Sequence, residues 1–372
     1  MEKHEVVIVG AGPAGLKAGE LLAKANKDVL IIEKEKEENI GDKPCNGMLS
    51  PLTIKLFEVP KELIERYMNG LVFYLQDGSY ITTELKPPLV GMCNRKRFQQ
   101  WLLKKSEKIG VEIRDNTKIT SIDRCENYVI TENGNKIGYD FLIGADGSES
   151  VVRKTLGLKS KTCLATYTEV DVSSKEIIGY EDYGCWYFDF NICGNGYCGF
   201  TPYKDKVGYC LVSMNNDFFS TSQKVKNFYK VAKEKHDIDL SKYELKAATV
   251  CYKCVGLKHD KIYLTGDAGG FGSILAGEIY LAAKSGELAA REILGEKIDK
   301  SFKDLMAFRK KENILAPILT LVSFIHPQFL RKKLTRKVYN KLFPMIFRNN
   351  PIFNALYKFI YRSAFGKKVL GE

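Results

Sequence analysis

The segment from Glu5 to Glu33 limits what this chain can fold into more than any other. Glu5-Val-Val-Ile-Val9 is a continuous apolar run, the pattern of a strand buried in a parallel sheet. It opens into Gly10-Ala11-Gly12-Pro13-Ala14-Gly15, a helical stretch from Leu16 to Ala25 and a second strand, Val29 to Ile32. That strand ends in Glu33, with Lys34 next to it. Strand, Gly-x-Gly-x-x-Gly, helix, strand and acid together form the dinucleotide-binding unit. The glycines permit a tight turn and the close approach of a pyrophosphate, and the helix N-terminus offers free N–H groups and a positive dipole end. Glu33 follows Gly15 by 18 residues and can accept from ribose hydroxyls. A bare glycine-rich turn is the alternative.

Two further buried strands end in turns of the same kind. Phe141-Leu-Ile-Gly144 leads into Ala145-Asp146-Gly147-Ser148, followed by Ser150 and Arg153. Ile262-Tyr-Leu264 leads into Thr265-Gly266-Asp267-Ala268-Gly269-Gly270, ahead of a helix from about Gly277 to Ile293. Asn94-Arg95 precedes an amphipathic helix, Lys96 to Lys108, and an arginine near a helix start can neutralise a diphosphate. Residues 163–213 alternate apolar and polar, with many aromatics and glycine-rich turns, which predicts an antiparallel sheet. A helix from Thr221 to His236 and a strand near Leu245 to Tyr252 follow. Sheets favour aromatics in any case, so packing and an apolar pocket both remain open for this group.

The three turns, Gly10 to Gly15, Ala145-Asp146-Gly147 with Arg153, and Gly266-Asp267-Ala268, resemble the FAD fingerprints of the para-hydroxybenzoate hydroxylase fold. The resemblance implies that FAD is the cofactor, that the second turn supports its pyrophosphate region and that Asp267 holds the ribityl chain and flavin-side phosphate. It also implies that Arg95 reaches the phosphate and ribose. Lys43-Pro44-Cys45-Asn46-Gly47-Met48-Leu49-Ser50-Pro51 is similar to the Lys-Pro-Cys-Gly-Gly segment of geranylgeranyl reductases and of the related CbrA-type flavoproteins. In those families this segment lies beside the isoalloxazine ring, so Cys45, Gly47 and Met48 are expected there, Cys45 with either a direct or a packing role. Asn195-Gly196-Tyr197-Cys198-Gly199-Phe200-Thr201-Pro202 resembles their Tyr-x-Trp-x-Phe-Pro signature, which lines the substrate cavity and singles out Tyr197 and Phe200. Two departures stand out. Gly199 replaces the signature tryptophan, which is expected to enlarge or reshape the cavity. The stretch Phe271 to Ile279 lacks a proline and one glycine of the family pattern; it normally offers backbone N–H groups to the flavin, here from Gly277 and Ile279.

The resemblance runs to about residue 295 and implies an α/β architecture. A Rossmann-type FAD-binding domain is expected from 1–52, 93–162 and 255–299, and an antiparallel substrate or cap domain from 53–92 and 163–254. The remainder, 300–372, reads as a basic amphipathic helical region. A length of 372 residues with 45% hydrophobic and 27% charged residues excludes disordered, collagen-like and small disulfide-scaffold classes. The net charge of +12 is concentrated, because residues 300–372 hold 16 Lys/Arg against 3 Asp/Glu. Apolar runs interleaved with Arg331-Lys332-Lys333 and Arg336-Lys337 suit a helix at an anionic membrane interface. A helical subdomain with a solvated basic face is the alternative, and nothing resembles a nucleic-acid-reading module. The charged start of the chain and ten cysteines without a disulfide framework point to a cytoplasmic location, peripheral on the inner face of a membrane. Cys251-Tyr-Lys-Cys254 lacks the further ligands a zinc site needs, so no metal is expected. The resemblance favours a reductase of isoprenoid carbon–carbon double bonds, fed by a nicotinamide or a small redox protein. A flavin monooxygenase of the same fold, acting on an aromatic or quinone-type compound, and a non-enzymatic membrane flavoprotein are the alternatives.

Overall fold

The computed structural model describes residues 1–74, 80–84, 90–171, 182–194, 196–214, 220–273 and 278–310. The expected interfacial helices lie outside these residues, as does Gly277. The chain divides into two compact units, of which Met1–Lys43, Asn94–Thr162 and Thr249–Arg309 form the first. At its centre the strand Glu2–Val9 pairs in parallel with Lys136–Gly144 on one side and with Val29–Ile32 on the other. Glu112–Arg114 extends the sheet in parallel beyond Val29–Ile32, and Ile262–Leu264 does so beyond Lys136–Gly144. Val6, Val7 and Ile8 have no exposed surface, as a strand covered on both faces requires. The antiparallel strands Ile119–Asp123 and Tyr128–Thr131 fold back onto Lys136–Gly144.

Two helices of this unit approach one another through residues that lack bulk. Helix Pro13–Lys24 starts three residues earlier than its apolar pattern suggests, because proline is pre-set for the first helical position. Helix Glu278–Ile293 crosses it so closely that a Cβ on Gly286 would lie 2.1 Å from the Ala14 carbonyl oxygen. Helix Arg95–Glu107 is capped by Asn94, whose side chain accepts from the Arg97 N–H at 2.9 Å. Its buried face is Phe98, Gln99, Leu102, Leu103 and Ser106, the spacing of an amphipathic helix.

The second unit comprises Pro44–Cys93 and Cys163–Ala248 among the described residues. Its main sheet contains Thr162–Val170, Val207–Met214, Tyr197–Pro202 and Tyr183–Tyr187 in that order, joined antiparallel. Within 163–213 the pairing is antiparallel, as the alternation predicts; the parallel neighbour comes from outside that range. Tyr183–Tyr187 pairs in parallel with Gly70–Tyr74, a strand brought in from far earlier in the chain. Helix Thr221–His236 packs Phe228, Val231 and Ala232 into the core formed with Phe200, Tyr209 and Leu211. A small sheet of Met48–Leu49, Val90–Met92 and Arg66–Met68 holds the end of the Lys-Pro-Cys-Asn-Gly segment. Among the described residues no helix is long and apolar enough to cross a membrane.

The helix crossing at Gly286 tests this packing. A methyl group there overpacks the contact, at a cost of about 1–3 kcal/mol. Gly286→Ala is expected to lower the thermal melting temperature by several degrees. Gly110→Ala, where the added atom meets nothing within 4 Å but φ is +89°, should act only through backbone strain. Calorimetry of the two variants checks the difference.

Candidate active site

The first turn shows what each glycine is for. Gly10 has φ +105°, and a Cβ there would stand 2.4 Å from the Ala145 carbonyl oxygen. A Cβ on Gly15 would fall 2.0 Å from the Gly10 carbonyl oxygen. These two are demanded by packing. Gly12 differs: its φ is −74° and an added Cβ would meet nothing within 4 Å. The backbone there faces open space at the start of helix Pro13–Lys24, which has no side-chain cap and no acid in its first turn. Such a helix end is suited to an anion.

Around this turn lies a cavity of about 770 Å³, built entirely from the first unit. Gly10, Gly12, Glu33, Lys34, Arg95 and Asp146 line it, all of them singled out in the sequence. Glu33 braces the turn, its Oε2 accepting from the Ala11 N–H at 2.8 Å and its Oε1 from the Glu35 N–H at 3.0 Å. Asp146 Oδ2 accepts from the Val151 N–H at 2.7 Å, at the start of the helix Val151–Thr155 that Ser150 caps. Its Oδ1 is sealed from solvent and has no hydrogen-bond partner among the described residues. Burial pushes this carboxyl above its usual range. Gln99 lines the same cavity and was not anticipated. Its amide donates to the Ala11 carbonyl oxygen at 2.6 Å, and its Oε1 is likewise sealed without a partner among the described residues. Its place beside Phe98, on the face that also carries Leu102 and Leu103, is the signal that could have found it.

Other expected residues stand behind this lining. Pro13, Ala14 and Gly15 belong to the helix start, and Gly147 takes φ +78° in the second turn. Arg153 is nearly fully buried and spends its donors on the protein: Nη1 bonds the carbonyls of Asp267 and Ala268, both at 3.1 Å, and Nη2 that of Ser148. It therefore joins the second turn to the third. Gly266 donates its N–H to Ser285 Oγ at 2.8 Å. Burial pushes the Asp267 carboxyl up to about 6, against the lowering pull of Lys43 and Arg153. Buried Arg309 donates Nε to the Gly270 carbonyl at 3.1 Å and also bonds the Tyr252 carbonyl. Cys251 and Cys254 serve the same backbone, Cys251 Sγ donating to Ser148 O at 3.5 Å and Cys254 Sγ accepting from Gly256 N–H at 3.4 Å. Ile279 is buried in the helix that follows.

The second unit holds the remaining expected residues. Cys45 is half-buried and is not in a disulfide. Gly47 has φ +59°, and a Cβ there would lie 2.0 Å from the Cys93 carbonyl oxygen and 2.6 Å from the Tyr203 hydroxyl. Met48 begins the strand paired with Met92. Tyr197 and Phe200, expected to line one cavity, sit three apart on a regular strand and so point to opposite faces. Phe200 is fully buried, its ring centroid 4.6 Å from that of Tyr209 and 4.3 Å from that of His236. Burial lowers the His236 imidazole to about 4, so it packs as a neutral ring. Gly199 does not open the space expected of it. The Trp186 indole, from the paired position on the next strand, lies over it, 3.0 Å from where a Cβ would stand. The same ring covers Gly184, whose Cβ would fall 2.8 Å from it.

Comparison with known proteins gives the site its class. The family described as FAD binding domain matches residues 3–268, and the chain belongs to that family. It is an FAD-dependent oxidoreductase. Its relatives include an uncharacterized protein of Methanosarcina barkeri, 32% identical over 321 residues, 84% of this chain and 79% of that one. A chloroplastic geranylgeranyl diphosphate reductase of Arabidopsis thaliana is 25% identical over 376 residues, 91% of this chain and 76% of that one. A solved geranylgeranyl bacteriochlorophyll reductase-like protein from Thermoplasma acidophilum shares the fold, with TM-score 0.74 and 18% identity, covering 100% of this chain and 98% of that one. The residues fit FAD: open backbone at Gly12, an uncapped helix start and two sealed, unpartnered oxygens line one cavity.

Two expectations follow. Gly12→Ala keeps an allowed φ and meets no neighbour, so the melting temperature of the apoprotein should stay put while FAD affinity falls at least about tenfold, the order one lost close contact to a phosphate gives. Fluorescence titration measures it. Asp267 has a folded value raised above its unfolded one, so its burial favours the fold below about pH 4 and that benefit is lost as pH rises through about 6. Asp267→Asn should therefore stabilise the apoprotein at pH 8 relative to wild type, and do so less at pH 4. Paired thermal melts at the two pH values check the sign.

Proposed function

We propose that this chain reduces carbon–carbon double bonds of a geranylgeranyl or related isoprenoid lipid. The observation that carries the reading is a dinucleotide cavity in a chain whose Lys43-to-Met48 segment is the geranylgeranyl-reductase-like loop, held where Gly47 admits no side chain. The name of the Arabidopsis relative, similar across most of both chains, supports the substrate class. FAD, when bound, supplies the hydride for one alkene carbon. The chain's part is to hold and orient. Gly10, Gly12, Lys34 and Arg95 receive the diphosphate, Glu33 the ribose, and Asp146, Gln99 and Asp267 the polar groups between. The resemblance assigns Cys45 to the ring's neighbourhood, where its thiol positions the reacting lipid or gives up a proton. Tyr197 shapes the apolar wall, whereas Phe200 supports it from the core side. An isolated alkene is a poor hydride acceptor, so orientation and exclusion of water supply most of the rate. The basic run from Arg331 to Lys337 supports, by charge, contact with an anionic lipid surface.

The decisive test is anaerobic. The protein, reduced with dithionite, is mixed with geranylgeranyl diphosphate or a geranylgeranylated phospholipid, and mass spectrometry follows gains of about 2 Da per saturated bond. Saturated product is expected, with kcat lowered about tenfold or more in Cys45→Ala. Unchanged lipid beside stably reduced flavin sinks the substrate assignment. Oxygen consumed with hydroxylated aromatic product would move the chain to the monooxygenase class.

A further inference from the structure

The second unit buries two tyrosine hydroxyls in line. Tyr167 donates to Glu169 Oε1 at 2.9 Å, and the Tyr203 hydroxyl lies 3.0 Å from that of Tyr167. A hydroxyl carries one hydrogen, so Tyr203 is the donor to Tyr167. At the outer end Lys206 pairs with the other carboxylate oxygen, and the Lys206 and Glu169 side chains keep 22% and 36% of their surface. At the inner end the Tyr203 hydroxyl abuts Gly47, two residues from Cys45. Glycine is present wherever the hydroxyls pass: a Cβ on Gly208 would stand 2.7 Å from the Tyr167 hydroxyl, and one on Gly47 2.6 Å from that of Tyr203. Two phenylalanines would fill the same volume without needing polar partners. Burial holds both phenols well above their usual range, with Cys45, Glu169 and Cys93 adding to the rise at Tyr203. Neither is an acid in its own right. A neutral hydroxyl in a bonded chain can still take a proton on one side and release one on the other.

We propose that Glu169, Tyr167 and Tyr203 form a proton wire between the protein surface and the loop that bears Cys45. A proton from solvent enters on the Glu169 carboxylate, and the hydroxyl hydrogens swing inward. Glu169 then passes its proton to Tyr167 as Tyr167 passes its own to Tyr203, and Tyr203 passes its own to the Cys45 thiolate left when the thiol has given its proton to the alkene carbon, so that Cys45 ends as the thiol. Each tyrosine ends neutral, and no electrons move along the chain. The inference rests on the reductive reading in one respect: saturating an alkene takes a hydride and a proton, and the wire delivers the proton. Tyr167 and Tyr203 are positioning residues that act through the loop. The charged or titratable groups facing them are Glu169, Lys206, Cys45 and Cys93.

The experiment uses the full-length holoenzyme and two readouts. In the first, iodoacetamide labelling of Cys45 is followed against pH by peptide mass spectrometry, with exposed Cys125 as internal reference. Once the Tyr203 hydrogen has swung inward it faces the Cys45 thiolate instead of Tyr167, so Tyr203→Phe should raise the labelling midpoint of Cys45 by about one pH unit, the order that one lost donor to a charged group gives, with melting temperature and Cys125 unmoved. An unmoved Cys45 midpoint overturns the wire. In the second, kcat for lipid reduction should fall about tenfold or more in Tyr203→Phe and in Tyr167→Phe, and no further in the double variant, with KM unchanged. Additive losses, or full activity in both, overturn it. A wild-type enzyme that saturates no prenyl lipid but shows the Cys45 response ends the substrate reading and leaves the wire standing. Should Tyr203→Phe fail to fold, Tyr167→Phe carries the kcat arm alone.

Discussion

Backbone touching backbone is the constraint on which the first unit depends. Gly10 lies against Ala145, Gly15 against Gly10, and Gly286 against Ala14, and in each case an added carbon would sit closer than carbon and oxygen can approach. These contacts draw the ends of two parallel strands and two helices onto one spot. The helix that begins there then presents uncapped N–H groups with nothing of the protein in front of them at Gly12. Charge attraction alone would not build such a site; removing every side chain in the way does.

Around that spot the polar side chains divide into those that hold the turns and those that are left over. Arg153 and Arg309 are buried cations whose donors go to backbone carbonyls of the second and third turns and of the segment beside them. Burying a guanidinium is tolerable only when its donors are met, and here carbonyls meet them. Gln99 and Asp146 each commit one end to the backbone and keep one oxygen sealed and unmet among the described residues. In a folded protein such atoms are rare enough to need a reason, and a bound cofactor with hydroxyl and amide groups is a sufficient one.

Much of this was legible in the sequence because the relevant signals are local. The Gly10-to-Gly15 turn, Glu33, the Asp146 and Asp267 turns and the helix after Asn94 are each a short string whose geometry is set by its own residues. What was not legible is set across strands. The parallel pairing of Tyr183–Tyr187 with Gly70–Tyr74 joins segments more than a hundred residues apart, and no local pattern announces it. The opposite facing of Tyr197 and Phe200 follows from the two-residue period of a strand and could have been read from it. Gln99 was hidden because an amide on the inner face of an amphipathic helix looks like an exception rather than a contact.

Trp186 carries a consequence for how such walls diverge. The indole expected on one strand is supplied by its neighbour, directly across the ladder, and lies between two glycines. In this facing pair the bulk stands at position 186 and glycine at 199. Shape is then a property of the pair: a side chain added at 199 meets the ring at 186, and the ring must give way for it. Relatives that look mutated at the signature position can possess the same contour, drawn from the other side.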